Sequence, residues 1–82
     1  MQSEFVAKNW RGDEIKLVMV DCIYSIAVRN PFSTVRIQVS VDVLDTEKNL
    51  ITIADEKAGK VITISASTWF SMRPEFVRRI GS

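Results

Sequence analysis

Thr34-Val35-Arg36-Ile37-Gln38-Val39-Ser40-Val41-Asp42-Val43 is the most regular stretch of the chain. Val35, Ile37, Val39, Val41 and Val43 alternate with Thr34, Arg36, Gln38, Ser40 and Asp42. Side chains on an extended strand point to opposite faces in turn. A period of two therefore marks a strand with one buried and one wet face. Its β-branched residues also suit a pleated surface. The pattern places the five aliphatic residues in the core and leaves a polar ladder in solvent.

Shorter strands are expected downstream. Asp45-Thr46-Glu47-Lys48-Asn49 is a polar turn, and Leu50 to Ala54 reads as a strand. Asp55-Glu56-Lys57-Ala58-Gly59-Lys60 is a second turn, with Gly59 free to take positive φ. Val61 to Ser65 returns as a strand. Ile51 and Ile53 then share a face with Ile62 and Ile64, which predicts two antiparallel hairpins with a common middle strand.

Upstream the pattern is less regular. Phe5 to Trp10 has strand character, and Arg11-Gly12-Asp13 is a compact turn. Glu14 to Val28 is long and apolar on both alternating sets. A strand of that kind needs cover on both sides, as in a long bent strand shared by two halves of a small barrel. Asp21 is the expected bend. The alternative is a short helix from Asp21 to Arg29, against which the β-branched content counts. Asn30-Pro31 ends the segment in either case.

The tail changes period. Ala66 to Met72 and Pro74 to Ile80 read as helical, with Ser65 or Ser67 as cap. Pro74 either starts a second short helix or kinks a continuous one. Phe76, Val77 and Ile80 then lie on one face, and Gly81 is the stop. The expected fold is mainly β: a small five-stranded antiparallel sheet or barrel of SH3-like or OB-like size, with a short C-terminal helix. Residues 1–82 read as a single domain.

Composition narrows the chemistry. Of the 82 residues, 46% are hydrophobic, which suits a globular domain rather than a disordered chain. Eleven Lys and Arg against 10 Asp and Glu give a net charge of +1, so the chain carries no strongly basic arm or acidic tail. There is no His and a single Cys, which removes disulfide frameworks, zinc fingers and imidazole-based sites. Met1 to Phe5 lack the features of a signal peptide. The longest near-apolar run, Leu17 to Val28, is broken by Asp21 and Ser25, so no membrane span is expected. An unpaired Cys22 in an apolar run suits a reducing, cytoplasmic compartment.

Most reactive-looking groups have plainer readings. Arg11-Gly12-Asp13 spells an adhesion tripeptide but uses the residues that turns need. Cys22 has no His or positive field to hold a thiolate and reads as a packed thiol. Asp42, Asp45, Glu47, Asp55 and Glu56 flank turns and alternate with lysines, which suits solvated turns better than a metal site. Asp21 stands out as an acid within an apolar run. Ser nucleophiles lack a His base, and the three glycines are too scattered for a phosphate loop. No catalytic residue, cofactor or metal is expected.

Two groups of residues are candidates for binding. Arg73, Arg78 and Arg79 lie near Trp69 and Phe70, a combination that can pair phosphates and stack on bases. Its plainer reading is a core-facing aromatic pair beside cations at a helix C-terminus. Arg36 and Gln38 stand on the polar ladder, where a rigid strand presents them well. Trp10, Val18, Val20, Tyr24, Trp69, Phe70 and Met72 are also a surplus of large apolar groups for so small a core. The leading expectation is a non-enzymatic interaction module, a regulator or inhibitor acting on a protein partner or through homo-oligomer formation. Compact domains of this kind are common among regulators and inhibitors encoded by phages and mobile elements, a class-level analogy only. The alternative is a small nucleic-acid-binding barrel using the C-terminal Arg and aromatic segment, which the near-neutral charge disfavours.

Overall fold

The computed structural model describes residues 4–8, 11 and 14–81. In chain order the elements are β1 (Glu4–Lys8), β2 (Glu14–Met19), β3 (Cys22–Asn30), β4 (Ser33–Asp45), β5 (Leu50–Asp55), β6 (Val61–Ser65), α1 (Ala66–Ser71) and β7 (Glu75–Arg79). β1 and β2 form a two-stranded ribbon. The other strands form a five-stranded antiparallel sheet in the order β6-β5-β4-β3-β7. The fold is thus mainly β with one short helix near the C-terminus, as expected. Among the described residues β6 and β7 do not pair, so the sheet stays open.

The alternation in β4 positions the core over part of its length. Val39 faces Tyr24 across the ladder, and Ile37 faces Ile26. Val39 is 1% exposed and Val41 is fully buried. Two of the expected core residues fall outside. Opposite β5 the register skips, with Val41 facing Ile53 and Val43 facing Thr52. Asp42 is the extra residue of a β-bulge. A bulge adds one residue to a period of two and so exchanges the faces beyond it. Val43 therefore turns outward, 53% exposed, and Leu44 enters the core in its place. At the other end β4 outruns β5, whose last pair is Asp55 with Val39, and Val35 is left exposed.

Two expectations about local structure are corrected. Glu14 to Val28 is not one bent strand. It is β2 and β3 joined by a turn at Val20 and Asp21. Asp21 takes φ 58°, a left-handed conformation that Asp tolerates better than most residues. Its N–H donates to the Val41 carbonyl at 2.9 Å, and its own carbonyl accepts from the Ile80 N–H at 2.9 Å. The acid in the apolar run thus marks a turn, and Cys22–Asn30 is strand rather than helix.

Pro74 to Ile80 is not helical either. Ser65 caps α1, its hydroxyl accepting from the Thr68 N–H at 3.2 Å, and Met72 closes the helix at its C-terminus. Arg73 then takes φ 49° and turns the chain out of the helix. Pro74 precedes β7, where its missing donor costs the ladder nothing. Phe76, Val77 and Ile80 fit helical spacing, but the backbone bonds offered by the edge of β3 win over local periodicity. Tyr24 pairs with Phe76 and Ser25 with Glu75. Trp10, Gly12 and Asp13 lie outside the described residues.

Trp69 plugs the core. It is 0% exposed and meets the Tyr24 ring edge-on, centroids 5.4 Å apart at 82°. Tyr24 meets Phe76 in the same manner at 5.8 Å. Such edge contacts set the positive rim of one ring against the negative face of the other. The Tyr24 hydroxyl accepts from the Met19 N–H at 3.1 Å. Among the described residues Trp69 Nε1 has no hydrogen-bond partner, a cost of about 1–3 kcal/mol that the buried indole surface must outweigh. Much of the apolar surplus is absorbed here: Val18, Tyr24 and Trp69 are buried, and Val20, Phe70 and Met72 pack against them.

Two outcomes follow. Val39→Asp places an unpaired charge in the core and should abolish cooperative unfolding, whereas Val43→Asp should fold with nearly wild-type stability. Circular dichroism melts check this, and equal damage from both would contradict the bulge. Burial raises the Tyr24 phenol above its ordinary 10.0, with the nearby Cys22 adding slightly and the Met19 hydrogen bond opposing. A raised folded-state value means stability that is present below the unfolded value and lost as pH rises through the folded one. The urea midpoint should fall more steeply above about pH 10 in wild type than in Tyr24→Phe. Parallel curves for the two proteins would contradict the assignment.

Candidate interaction surface

The apolar face of the sheet is wider than its cover. Ile26 and Val28 from β3, Ile37 from β4, Ile53 from β5, and Ile62 and Ile64 from β6 line one groove. Its volume is about 390 Å³. Thr68 and Met72 bound it on the helix side, and Asp55, Ala58 and Lys60 on the other. The six-residue α1 covers the Trp69 end and leaves this part open. Ile62 is 43% exposed, and Ile37, Ile64 and Val28 are only half-buried.

The reversed identity of the tail explains the opening. A second helix over Pro74 to Ile80 would have laid Phe76, Val77 and Ile80 across the sheet. Instead Phe76 and Val77 extend the sheet in β7 and Ile80 follows it in a turn, and all three are partly exposed, at 54%, 41% and 45%. The groove residues were legible in the sequence as strand residues, but nothing in their spacing separates a covered face from an open one.

The opposite face carries the polar ladder, and here the expected binding arginines act as cross-ties. Arg36 Nε donates to the Ser25 hydroxyl at 2.8 Å. Its Nη2 donates to the carbonyls of Ser25 at 2.6 Å and Arg73 at 2.8 Å. The same nitrogen lies 3.7 Å from the Glu75 carboxylate. Arg36 thus reaches across β3 and fastens the start of β7 to β4. Arg78 pairs with Glu56 at 3.1 Å, tying β7 to the turn between β5 and β6. Gln38 is exposed, and its carbonyl accepts from the Glu56 N–H at 3.2 Å. Arg36 and Gln38 share a second, mixed-charge cleft with Asp55, Glu56 and Lys57.

The remaining candidates are scattered. Trp69 is in the core and offers no ring to a ligand, and Phe70 packs against that core. This is the plainer of the two readings of the aromatic pair. Arg73 and Arg79 are exposed, Arg73 after the helix and Arg79 opposite Cys22. The structure brings Arg36, Gln38 and Arg78 to the polar side of the sheet, away from the buried Trp69, whereas Arg73 follows the helix and its N–H donates to the Phe70 carbonyl at 3.2 Å.

The acidic residues serve the turns. Asp45 Oδ1 accepts from the Lys48 N–H at 3.1 Å. Asp55 Oδ1 accepts from the N–H groups of Ala58 at 3.1 Å and Lys57 at 2.8 Å, which hold its carboxyl below the ordinary value. Among the described residues no group of three His, Cys, Asp or Glu side chains is placed to hold a metal ion. Cys22 is fully buried as a free thiol. No described helix is long and apolar enough to cross a membrane.

No protein-family model, curated protein or solved structure matches the chain.

Arg36→Leu removes the tie between β4 and β7 and should lower stability by about 1 kcal/mol, since the side chain is partly solvent-screened. Arg36→Lys keeps the charge but loses the planar fork and should recover only part of that loss. Thermal melts decide, and unchanged midpoints in both variants would show that the tie is idle.

Proposed function

We propose that the protein is a small non-enzymatic interaction module, a regulator or inhibitor that lays an apolar segment of a protein partner into the groove beside α1. The single observation behind this reading is the open apolar groove itself. Isolated exposed aliphatics are ordinary on a protein surface, but a contiguous recessed patch with a polar rim is the anatomy of an interface. Ile26, Ile37, Ile53 and Ile62 supply the apolar centre, and Asp55, Lys60 and Thr68 supply the rim. The occupant best suited to it is a polypeptide carrying successive aliphatic side chains, because the groove is lined by aliphatic residues from four neighbouring strands, β3 to β6.

Nucleic-acid binding draws less support. Arg36 and Arg78 already face carboxylates, and Trp69 has no accessible ring on which a base can stack. The buried free thiol of Cys22 suits action in the cytoplasm, where thiols stay reduced.

A photo-crosslinking side chain at Ile37, inside the groove, should capture one specific protein in cells, while the same probe at Thr34, on the polar face, should not. Excess wild-type protein should suppress the adduct and excess Ile37→Lys protein should not. Absence of any adduct, or equal capture from both faces, would overturn the reading.

A further inference from the structure

We propose that β6 is a self-pairing edge, at which a second copy of this chain adds its own β6 antiparallel about a two-fold axis through Thr63. This is separate from the groove reading and stands or falls without it.

The first observation is the hydrogen-bond parity of β6. The Asp55 N–H donates to the Lys60 carbonyl at 2.9 Å, and the Ala66 N–H donates to the Asn49 carbonyl at 2.8 Å. Between them the β5–β6 register runs without a break: Ala54 faces Val61, Ile53 faces Ile62, Thr52 faces Thr63, Ile51 faces Ile64 and Leu50 faces Ser65. In an antiparallel ladder, residues that exchange bonds alternate with residues whose N–H and C=O point away. The flanking bonds therefore assign Ile62 and Ile64 to the β5 ladder. Val61, Thr63 and Ser65 turn their backbone groups outward, toward the side on which no described strand lies.

The second observation is the order of side chains. Val61-Ile62-Thr63-Ile64-Ser65 is a near mirror image about Thr63. A two-fold axis there sets Thr63 opposite Thr63 of the second copy, as a pair of outward-facing residues that exchange both their N–H and C=O bonds. It also sets the Ser65 N–H opposite the Val61 carbonyl on each side. The Ser65 carbonyl belongs to the helix ladder as that of an N-cap, so the Val61 N–H keeps its water and the pairing makes four interchain bonds. Ile62 comes beside Ile64 of the second copy on the groove face, so the two apolar grooves run into one another across the shared edge.

The third observation is the contrast between the two edges. β7 carries Glu75, Arg78 and Arg79, and its register against β3 is broken between Ile23 and Tyr24. Charges and bulges are how proteins discourage pairing at an edge. β6 has no charge, no proline and no bulge, and Val61 and Ile62 are 58% and 43% exposed. Self-pairing there brings no like charges together. A five-residue strand pair is a small contact, so the dimer should be weak and concentration-dependent.

Thr63 permits a direct test. It is exposed, on the face away from the groove, and a substitution there puts at risk its hydroxyl pair with Thr52 at 2.9 Å. Directly opposed strand residues bring their Cβ atoms within about 5 Å, so like charges at this position repel and opposite charges attract. Sedimentation of the wild-type chain should show a monomer–dimer equilibrium. Thr63→Lys and Thr63→Glu should each weaken it by about tenfold or more, and an equimolar mixture of the two should restore it. In the unmodified chain, exchange of the Thr63 amide should slow as concentration rises, while that of Ile62 stays slow throughout. A wild-type chain that stays monomeric up to about 1 mM, a dimer indifferent to either charge, a mixture that does not reassociate, or a Thr63 amide indifferent to concentration would overturn the proposal. Both variants should still crosslink from Ile37, which keeps the dimer separate from the groove.

Discussion

The edge contact between Tyr24 and Trp69 is the constraint on which the rest of the molecule depends. Tyr24 is the third residue of β3 and lies between Val39 of β4 and Phe76 of β7. Trp69 sits on α1, whose cap is the last residue of β6 at the far edge of the sheet. To bring the two rings within 5.4 Å, the chain must cross the apolar face in a single short helix. It then arrives beside β3, where the Ala27 N–H donates to the Met72 carbonyl at 2.8 Å and β7 begins. The helix is long enough to deliver one indole, but too short to cover the strands it crosses. The open groove is the consequence.

Departures from regular geometry fit the same requirement. The bulge at Asp42 exchanges the faces of β4, putting Leu44 in the core next to Ile51 and releasing Val43 to solvent. The left-handed residues Asp21, Asn49 and Arg73 stand where the chain reverses between strands or leaves the helix. Arg36 and Arg78 then hold β7 from the polar side, so the strand is secured by hydrogen bonds on one edge and by ion pairs above it.

Much of this was legible in the sequence, for physical reasons that differ by element. The alternation over Val35 to Val43, the turns led by Asp45 and Asp55, and Ser65 as a cap are local signals, and local signals survive in the fold. The bulge at Asp42 was not legible, because alternation continues through it unbroken and only the pairing with β5 reveals it. Phe76, Val77 and Ile80 satisfy helical spacing as well as strand chemistry, so local pattern alone points to a helix, and the edge of β3 decides for a strand. The arginines were picked out for their charge, whereas Arg36 and Arg78 spend that charge inside the molecule. The groove needed the fold, since Ile62 and Ile64 have the same pattern whether covered or bare.

The apolar face left open by α1 should bind apolar ligands while the chain stays folded. A methyl-labelled sample titrated with an anilinonaphthalene sulfonate dye and followed by isoleucine methyl resonances tests this. Saturable shifts confined to Ile26, Ile37, Ile53, Ile62 and Ile64, with Ile23 and Ile51 unmoved, are expected. A folded chain that shows no saturable shift, or that shifts at Ile23 instead, would contradict it.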